Sequence, residues 1–181
     1  MSTWINVSTQ SVKKGDQPSE IIPRLFLSGH PARYSAAGPN SNRFLQHPSK
    51  HLAENMNVVL IVNCCAAKSW ADFTIEDLAD GSKKPVENID EFLGALRETV
   101  TNTAGGDGSS TSPAPRLVFH MNVKADDVDE YDLSPYFERT RAALAAALGN
   151  EEGEPSSSTP FGALVHCQMG VSRSSTIVAA Y

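Results

Sequence analysis

Cysteine is scarce: the 181 residues contain three, Cys64, Cys65 and Cys167. Three thiols cannot form a fully paired disulfide framework, and the neighbours Cys64 and Cys65 bridge only under strain. A disulfide-stapled secreted scaffold is therefore excluded, and a reducing compartment is expected. Long apolar runs are also missing. The longest strongly apolar stretch, Val58 to Val62, falls far short of the roughly 20 residues of a membrane-spanning helix. The opening MSTWINVSTQSVKK holds no apolar signal core. Positive charge is in deficit, with 15 Lys and Arg against 21 Asp and Glu and a net charge of −6. That balance suits neither nucleic acid nor an anionic membrane, because the long-range field has the wrong sign for phosphates. Any anionic substrate must be held by a local site. No cluster of His, Cys, Asp and Glu stands at metal-ligand spacing, so neither metal nor cofactor is expected. A soluble cytoplasmic protein is the expectation, with a nuclear location left open.

What is present suffices for one folded domain. Apolar residues make up 40% and glycines number 12, which lies in the globular range. Residues 1–20 are polar and without period, a loose lead-in. Ile21 to Leu27 (IIPRLFL) suits an edge strand or a two-part strand bent at Pro23. Residues 28–50 are rich in Gly, Pro, Ser and Asn, with room for a short helix broken near Pro48. Asn57 to Asn63 (NVVLIVN) is apolar on both faces, as in an interior parallel strand. Ile89, Phe92, Leu93, Leu96 and Val100 mark one face of an amphipathic helix. Residues 101–115 (TNTAGGDGSSTSPAP) read as a flexible Gly/Ser/Pro-rich insertion. Arg116 to Val123 predicts a second buried strand, followed by the acidic stretch ADDVDEYD. A helix follows, with Ser134 as N-cap, Pro135 at the first helical position, Phe137, Leu144 and Leu148 on one face, and Gly149 as its stop. Phe161 to His166 predicts a third strand, and Ser172 to Tyr181 the start of a helix. Strands alternating with helices predict an α/β fold: a single domain with a central, mostly parallel twisted sheet of about four or five strands.

The chemistry sits in Val165-His-Cys-Gln-Met-Gly-Val-Ser-Arg-Ser-Ser175, between a strand and a helix. A loop whose N–H groups converge at a helix N-terminus is an anion cradle that needs no general positive charge. Gly170 supplies the tight turn. The helix end, the loop amides and Arg173 all favour a thiolate at Cys167, so the cradle that holds a phosphate also activates a nucleophile beneath it. Arg173 offers a planar fork for two phosphoryl oxygens. The competing reading is a buried cysteine beside an unrelated surface arginine. His-Cys followed five residues on by Arg arises by chance in about 0.4% of chains of this composition, and adding Gly170 and Ser172 lowers that far further.

HCQMGVSRSS resembles the signature of the cysteine-dependent dual-specificity protein phosphatases, His-Cys-x-x-Gly-x-Ser-Arg-Ser/Thr. PRLFLSG resembles the opening strand of that family, VVLIVN its next core strand, and KADDVDEYDLSPYFERTRAAL its general-acid loop and following helix. The resemblance spans residues 21–181. It implies a protein-tyrosine-phosphatase-like fold and a catalytic domain over those residues, interrupted by the 101–115 insertion. Chains of the family run on past the cradle helix, so a domain cut short after that helix, with the C-terminal helices absent, is expected.

The resemblance also implies the reaction: metal-independent hydrolysis of phosphotyrosine and phosphoserine/threonine through a phosphocysteine on Cys167. Arg173 and the amides of Gln168, Met169, Gly170, Val171 and Ser172 would hold the phosphoryl oxygens. Ser174 would help the thiolate leave, and His166 would orient the cysteine. A general acid must come from Asp126, Asp127, Asp129, Glu130 and Asp132; by register with the family it is Asp127, with Asp126 next. The implied partner is a phosphorylated protein, a protein kinase among the candidates, since the loop looks most like that of the MAP-kinase phosphatases. Two alternatives stand beside this. One is a catalytically weak or inactive phosphoprotein-binding module. The other is a phosphoinositide phosphatase, against which Gln168, Met169 and Val171 speak because none is basic.

Cys64 and Cys65 follow the Asn57–Val62 strand, which family topology would place beside the strand ending at Cys167. One of them is thus a candidate redox partner, although two inert core thiols is the simpler reading. His30, His47, His51 and His120 read as ordinary surface or core histidines. Trp4 and Trp70 read as packing residues, and Lys13-Lys14 and Lys83-Lys84 as solvated.

Overall fold

The chain alternates helix and strand period as expected, and its computed structural model describes residues 18–29, 48–104, 114–126, 128, 131–149 and 160–181. In chain order the elements are β1 (Ser19–Ile22), β2 (Leu25–Ser28), α1 (Pro48–Met56), β3 (Val58–Asn63), β4 (Phe73–Asp77), β5 (Lys83–Val86), α2 (Ile89–Ala104), β6 (Leu117–Asn122), α3 (Ser134–Leu148), β7 (Gly162–His166) and α4 (Arg173–Ala180). They form a single α/β domain around one mixed sheet, in the order β1-β2-β7-β3-β6-β4-β5.

The sheet has seven described strands rather than four or five. Its centre, β2-β7-β3-β6, is parallel throughout. The flanks β1, β4 and β5 are antiparallel additions. The β4–β5 hairpin escapes sequence reading for a physical reason. FTIED points a glutamate inward, and KKPV is polar and carries a proline, which only an edge strand tolerates. Glu76 is nonetheless 4% exposed, because His120 Nε2 lies 2.7 Å from its carboxylate and Lys83 Nζ 3.4 Å away. His120 thus sits as a core histidine satisfied by a carboxylate, and Lys83 stays largely solvated while reaching the same group.

The prediction at Pro23 holds: β1 and β2 pair antiparallel across a turn in which Arg24 adopts φ 68°. β3 is buried at every position between β7 and β6, which explains its unbroken apolar run. Leu60, Val62 and Cys64 face the layer of α2, α3 and α4, whereas Val58 and Ile61 face α1 through Leu52 and Ala53. Each such aliphatic side chain contributes about 1.5–3 kcal/mol relative to exposure.

Helix boundaries differ from expectation at three places. α1 begins at Pro48 instead of breaking there, since proline is well suited to a first helical turn. α2 starts behind Asn88, whose Oδ1 accepts the Glu91 N–H at 2.8 Å, and runs through Ala104 into the stretch read as insertion. Before Gly105 nothing breaks it, and Thr101 Oγ1 donates back to the Arg97 carbonyl at 2.7 Å. At α3, Ser134 is not the cap. Leu133 occupies that position without a side-chain bond, and Asp132 Oδ1 accepts the Ser134 N–H at 2.9 Å. The predicted stop holds: Gly149 takes φ 72° and its N–H donates to the Ala145 carbonyl. Phe92 of α2 locks this helix to the sheet, with ring centroids 5.0 Å from Phe73 and 5.5 Å from Phe119.

Candidate active site

The parallel strands β7, β3 and β6 deliver three loops to one edge of the sheet, where α/β folds place ligands. They are the cradle loop after β7, the β3–β4 loop from Cys64 to Asp72, and the β6–α3 loop from Val123 to Leu133.

In the cradle, Cys167 is 2% exposed. The Gly170 N–H donates to its Sγ at 3.1 Å and the Ser174 hydroxyl at 3.2 Å. Burial pushes the thiol pKa up, but the Ser174 hydroxyl and the backbone N–H groups of Ser174, Met169 and Gly170 outweigh it and hold the thiol below its ordinary value. Gly170 is required twice over. Its φ is +75°, and a Cβ there would lie 2.6 Å from Ser28 C and from Gly29 N, both rigid backbone at the end of β2.

Arg173 opens α4 and is buried, with Nη1 donating to the Ala125 carbonyl at 3.1 Å. That bond ties the cradle to the start of the acidic loop. His166 closes β7, is 3% exposed, and accepts the Cys64 N–H on its carbonyl at 2.7 Å. Gln168, Met169, Val171 and Ser172 are exposed around the mouth.

Of the five carboxylates considered for the acid, Asp127, Asp129 and Glu130 lie outside the described residues, as do His30, His47 and Trp4. Asp126 is exposed and paired with Lys68 Nζ at 2.9 Å. Asp132 is occupied by Ser134, whose side-chain and backbone hydrogen bonds lower its pKa.

Several residues that sequence reading passed over hold these loops together. Asn63 and Asn122 end β3 and β6, and the Asn63 amide donates to Asn122 Oδ1 at 3.2 Å. Asn122 Nδ2 in turn donates to the Ala71 carbonyl at 2.7 Å. Asp72 receives Lys124 Nζ at 2.5 Å and Arg139 Nη1 at 3.6 Å. Arg139 stacks over Tyr136, 4.2 Å from its centroid, and Tyr131 donates to the Lys124 carbonyl at 3.1 Å. The available signal was the asparagine closing both apolar runs, VVLIVN and LVFHMN.

The two neighbouring cysteines part company. Cys64 is fully buried on the face that carries Cys167, and burial first, then the charges of Cys167 and Cys65, push its thiol far up. Cys65 is half-buried, with its thiol 3.2 Å from Asn63 Oδ1. Trp70, read as a packing residue, is instead 52% exposed on the β3–β4 loop. His51 sits on α1, 3.2 Å from the Asn55 amide, away from the cradle. A separate cleft of about 200 Å³ lies at the far side of the sheet, lined by Lys50, Glu76, Leu78 and Asp80, and contains none of the candidate residues. Among the described residues no group of three His, Cys, Asp or Glu could hold a metal ion, and no helix is long and apolar enough to cross a membrane.

The arrangement can do two things: bind an oxyanion between Arg173 and the loop amides, and present a thiolate to its centre. No family model matches the chain. Over 62 residues, 34% of its length, it is 40% identical to human dual specificity protein phosphatase 13B. The match covers 27% of that protein, so the chain spans about a quarter of the relative's length. This partial likeness supports the family suggested by HCQMGVSRSS.

Proposed function

We propose that the protein is a phosphoprotein phosphatase of dual specificity, using a cysteine nucleophile and no metal, with residues 21–181 as its catalytic domain. The observation that carries this reading is the Cys167 sulfur, buried beneath a glycine-turned loop and hydrogen-bonded by Ser174 and Gly170 beside a buried Arg173.

In this mechanism the Cys167 thiolate attacks phosphorus in line, forming the S–P bond as the P–O bond to the leaving group breaks. Arg173 and the amides of residues 168–173 neutralise the three equatorial oxygens, a task that metal ions perform elsewhere. Asp127, placed by family register, gives its proton to the departing oxygen. Its carboxylate then takes a proton from water, which attacks phosphorus and releases inorganic phosphate. As the S–P bond breaks, the Ser174 hydroxyl stabilises the returning thiolate. The non-basic Gln168, Met169 and Val171 favour a phosphoprotein over a phosphoinositide. The likeness of the loop to MAP-kinase phosphatases makes a phosphorylated protein kinase one candidate substrate.

Hydrolysis of a small aryl phosphate, with and without chelator, tests the reading. Turnover should resist chelator and be abolished by thiol alkylation. Cys167→Ser should lose turnover yet retain phosphate, whereas Arg173→Ala should lose both. Substantial turnover by Cys167→Ser sinks the mechanism.

A further inference from the structure

Among the described residues, four large apolar side chains remain in water: Trp70, Val128, Met169 and Val171, with 52%, 62%, 56% and 61% of their surface exposed. All four lie on the loops that surround Cys167. Trp70 is on the β3–β4 loop, Val128 on the β6–α3 loop, and Met169 and Val171 on the cradle loop. Those loops form one edge, joined by the Lys68–Asp126 pair and by the Arg173 bond to Ala125. Apolar side chains left exposed together mark a contact surface. The described lysines of the same loops are paired with carboxylates, Lys68 with Asp126 and Lys124 with Asp72. The mouth therefore offers apolar contact, and these lysines already have their partners.

We propose that this rim is a specificity surface that takes apolar side chains next to the phosphorylated residue of a peptide substrate. The proposal rests on the phosphatase reading of Cys167, because a phosphate seated there lays the adjoining residues of its chain across these loops. A phosphoinositide in a bilayer presents a dense anionic surface, which calls for basic residues in excess. Acidic flanking residues gain nothing from cations that are already paired. Trp70 supplies a rigid, broad contact and Met169 an adaptable one, a combination that accepts apolar partners of varied shape.

The test uses two phosphotyrosine peptides of equal length and charge, one with Leu and the other with Gln on each side of the phosphotyrosine. The wild-type chain should show a kcat/KM ratio of roughly tenfold in favour of Leu, as expected for side chains partly withdrawn from water. The double substitution Trp70→Ser with Val128→Ser should lower that ratio severalfold, the remainder resting on Met169 and Val171. Taking the ratio within each variant cancels any change in the chemical step. A wild-type ratio near one, or a ratio that the substitutions do not move, overturns the proposal. So does faster turnover of a phosphoinositide in phosphatidylcholine vesicles than of the Leu peptide. An aryl phosphate has no flanking residues and separates the two claims: no hydrolysis of it refutes the phosphatase reading and the rim together, whereas hydrolysis with a flat peptide ratio refutes the rim alone.

Discussion

Replacing Ser174 with Ala isolates one interaction at the reacting sulfur. Ser174 is fully buried and its hydroxyl donates to Cys167 Sγ at 3.2 Å. A hydrogen bond to a charged group contributes about 1.5–3 kcal/mol, and one pKa unit corresponds to about 1.4 kcal/mol. Losing this bond should raise the thiol pKa, a partial shift because the Gly170 N–H still donates at 3.1 Å. Since the perturbed form is the anion, the acid limb of kcat/KM moves to higher pH. The same bond stabilises the thiolate as it leaves phosphorus, so release of phosphate should slow by roughly 10–100-fold. Phosphocysteine would then accumulate, and mixing with an aryl phosphate should give a burst of phenolate near one equivalent per enzyme. The pH dependence of alkylation by iodoacetamide reads the pKa, and stopped-flow absorbance reads the burst. An unmoved alkylation profile together with no burst refutes the role assigned to Ser174.

Asp127→Asn should lower kcat by roughly 10²–10³-fold for a poor leaving group and much less for an activated phenol. Asp126→Asn, which removes only an exposed pair with Lys68, should change little; the reverse outcome would move the acid by one residue. Glu76 carries a pH dependence of stability. Burial pushes its carboxyl up, but His120, Ser49 and Lys83 prevail and bring it down to about 2 from 4.5. Because the folded value is the lower one, the stabilisation is complete above about pH 4.5 and is lost as pH falls toward 2, a change of about 3 kcal/mol. Glu76→Gln should flatten denaturant midpoints across that window. Peroxide should convert the Cys167 thiolate to a sulfenic acid, which the Cys64 thiol condenses with to give a disulfide and water. Non-reduced peptide mapping should find Cys64, not Cys65, linked to Cys167, with activity restored by dithiothreitol. The elevated Cys64 pKa makes this step slow at neutral pH. Over-oxidised Cys167 with no linkage removes the idea.

Periodicity made the parallel centre legible. The unbroken apolar run of β3, the i, i+3, i+4 face of α2 and the Pro135 and Gly149 punctuation of α3 each state a local preference that the tertiary structure keeps. The β4–β5 hairpin was not legible. Its inward Glu76 is tolerable only because His120, 44 residues away, comes alongside on β6. Ser134 had the composition of a cap, yet the competing Asp132 took the free N–H instead.

By itself, the sequence brought Cys167, Gly170 and Arg173 together in one cradle, because all lie within one short segment whose backbone path dictates their meeting. Strand alternation suggested that Cys64 and Cys65 point opposite ways, yet both lie in the turn just past β3. Which of them faces Cys167 was decided by the register of β3 against β7, with Asn63 opposite His166. The Asp72, Lys124 and Arg139 staple and the exposure of Trp70 were decided likewise by tertiary structure. Such contacts join residues far apart in the chain, and their energies depend on how three loops converge at one sheet edge, which no local pattern of residues encodes.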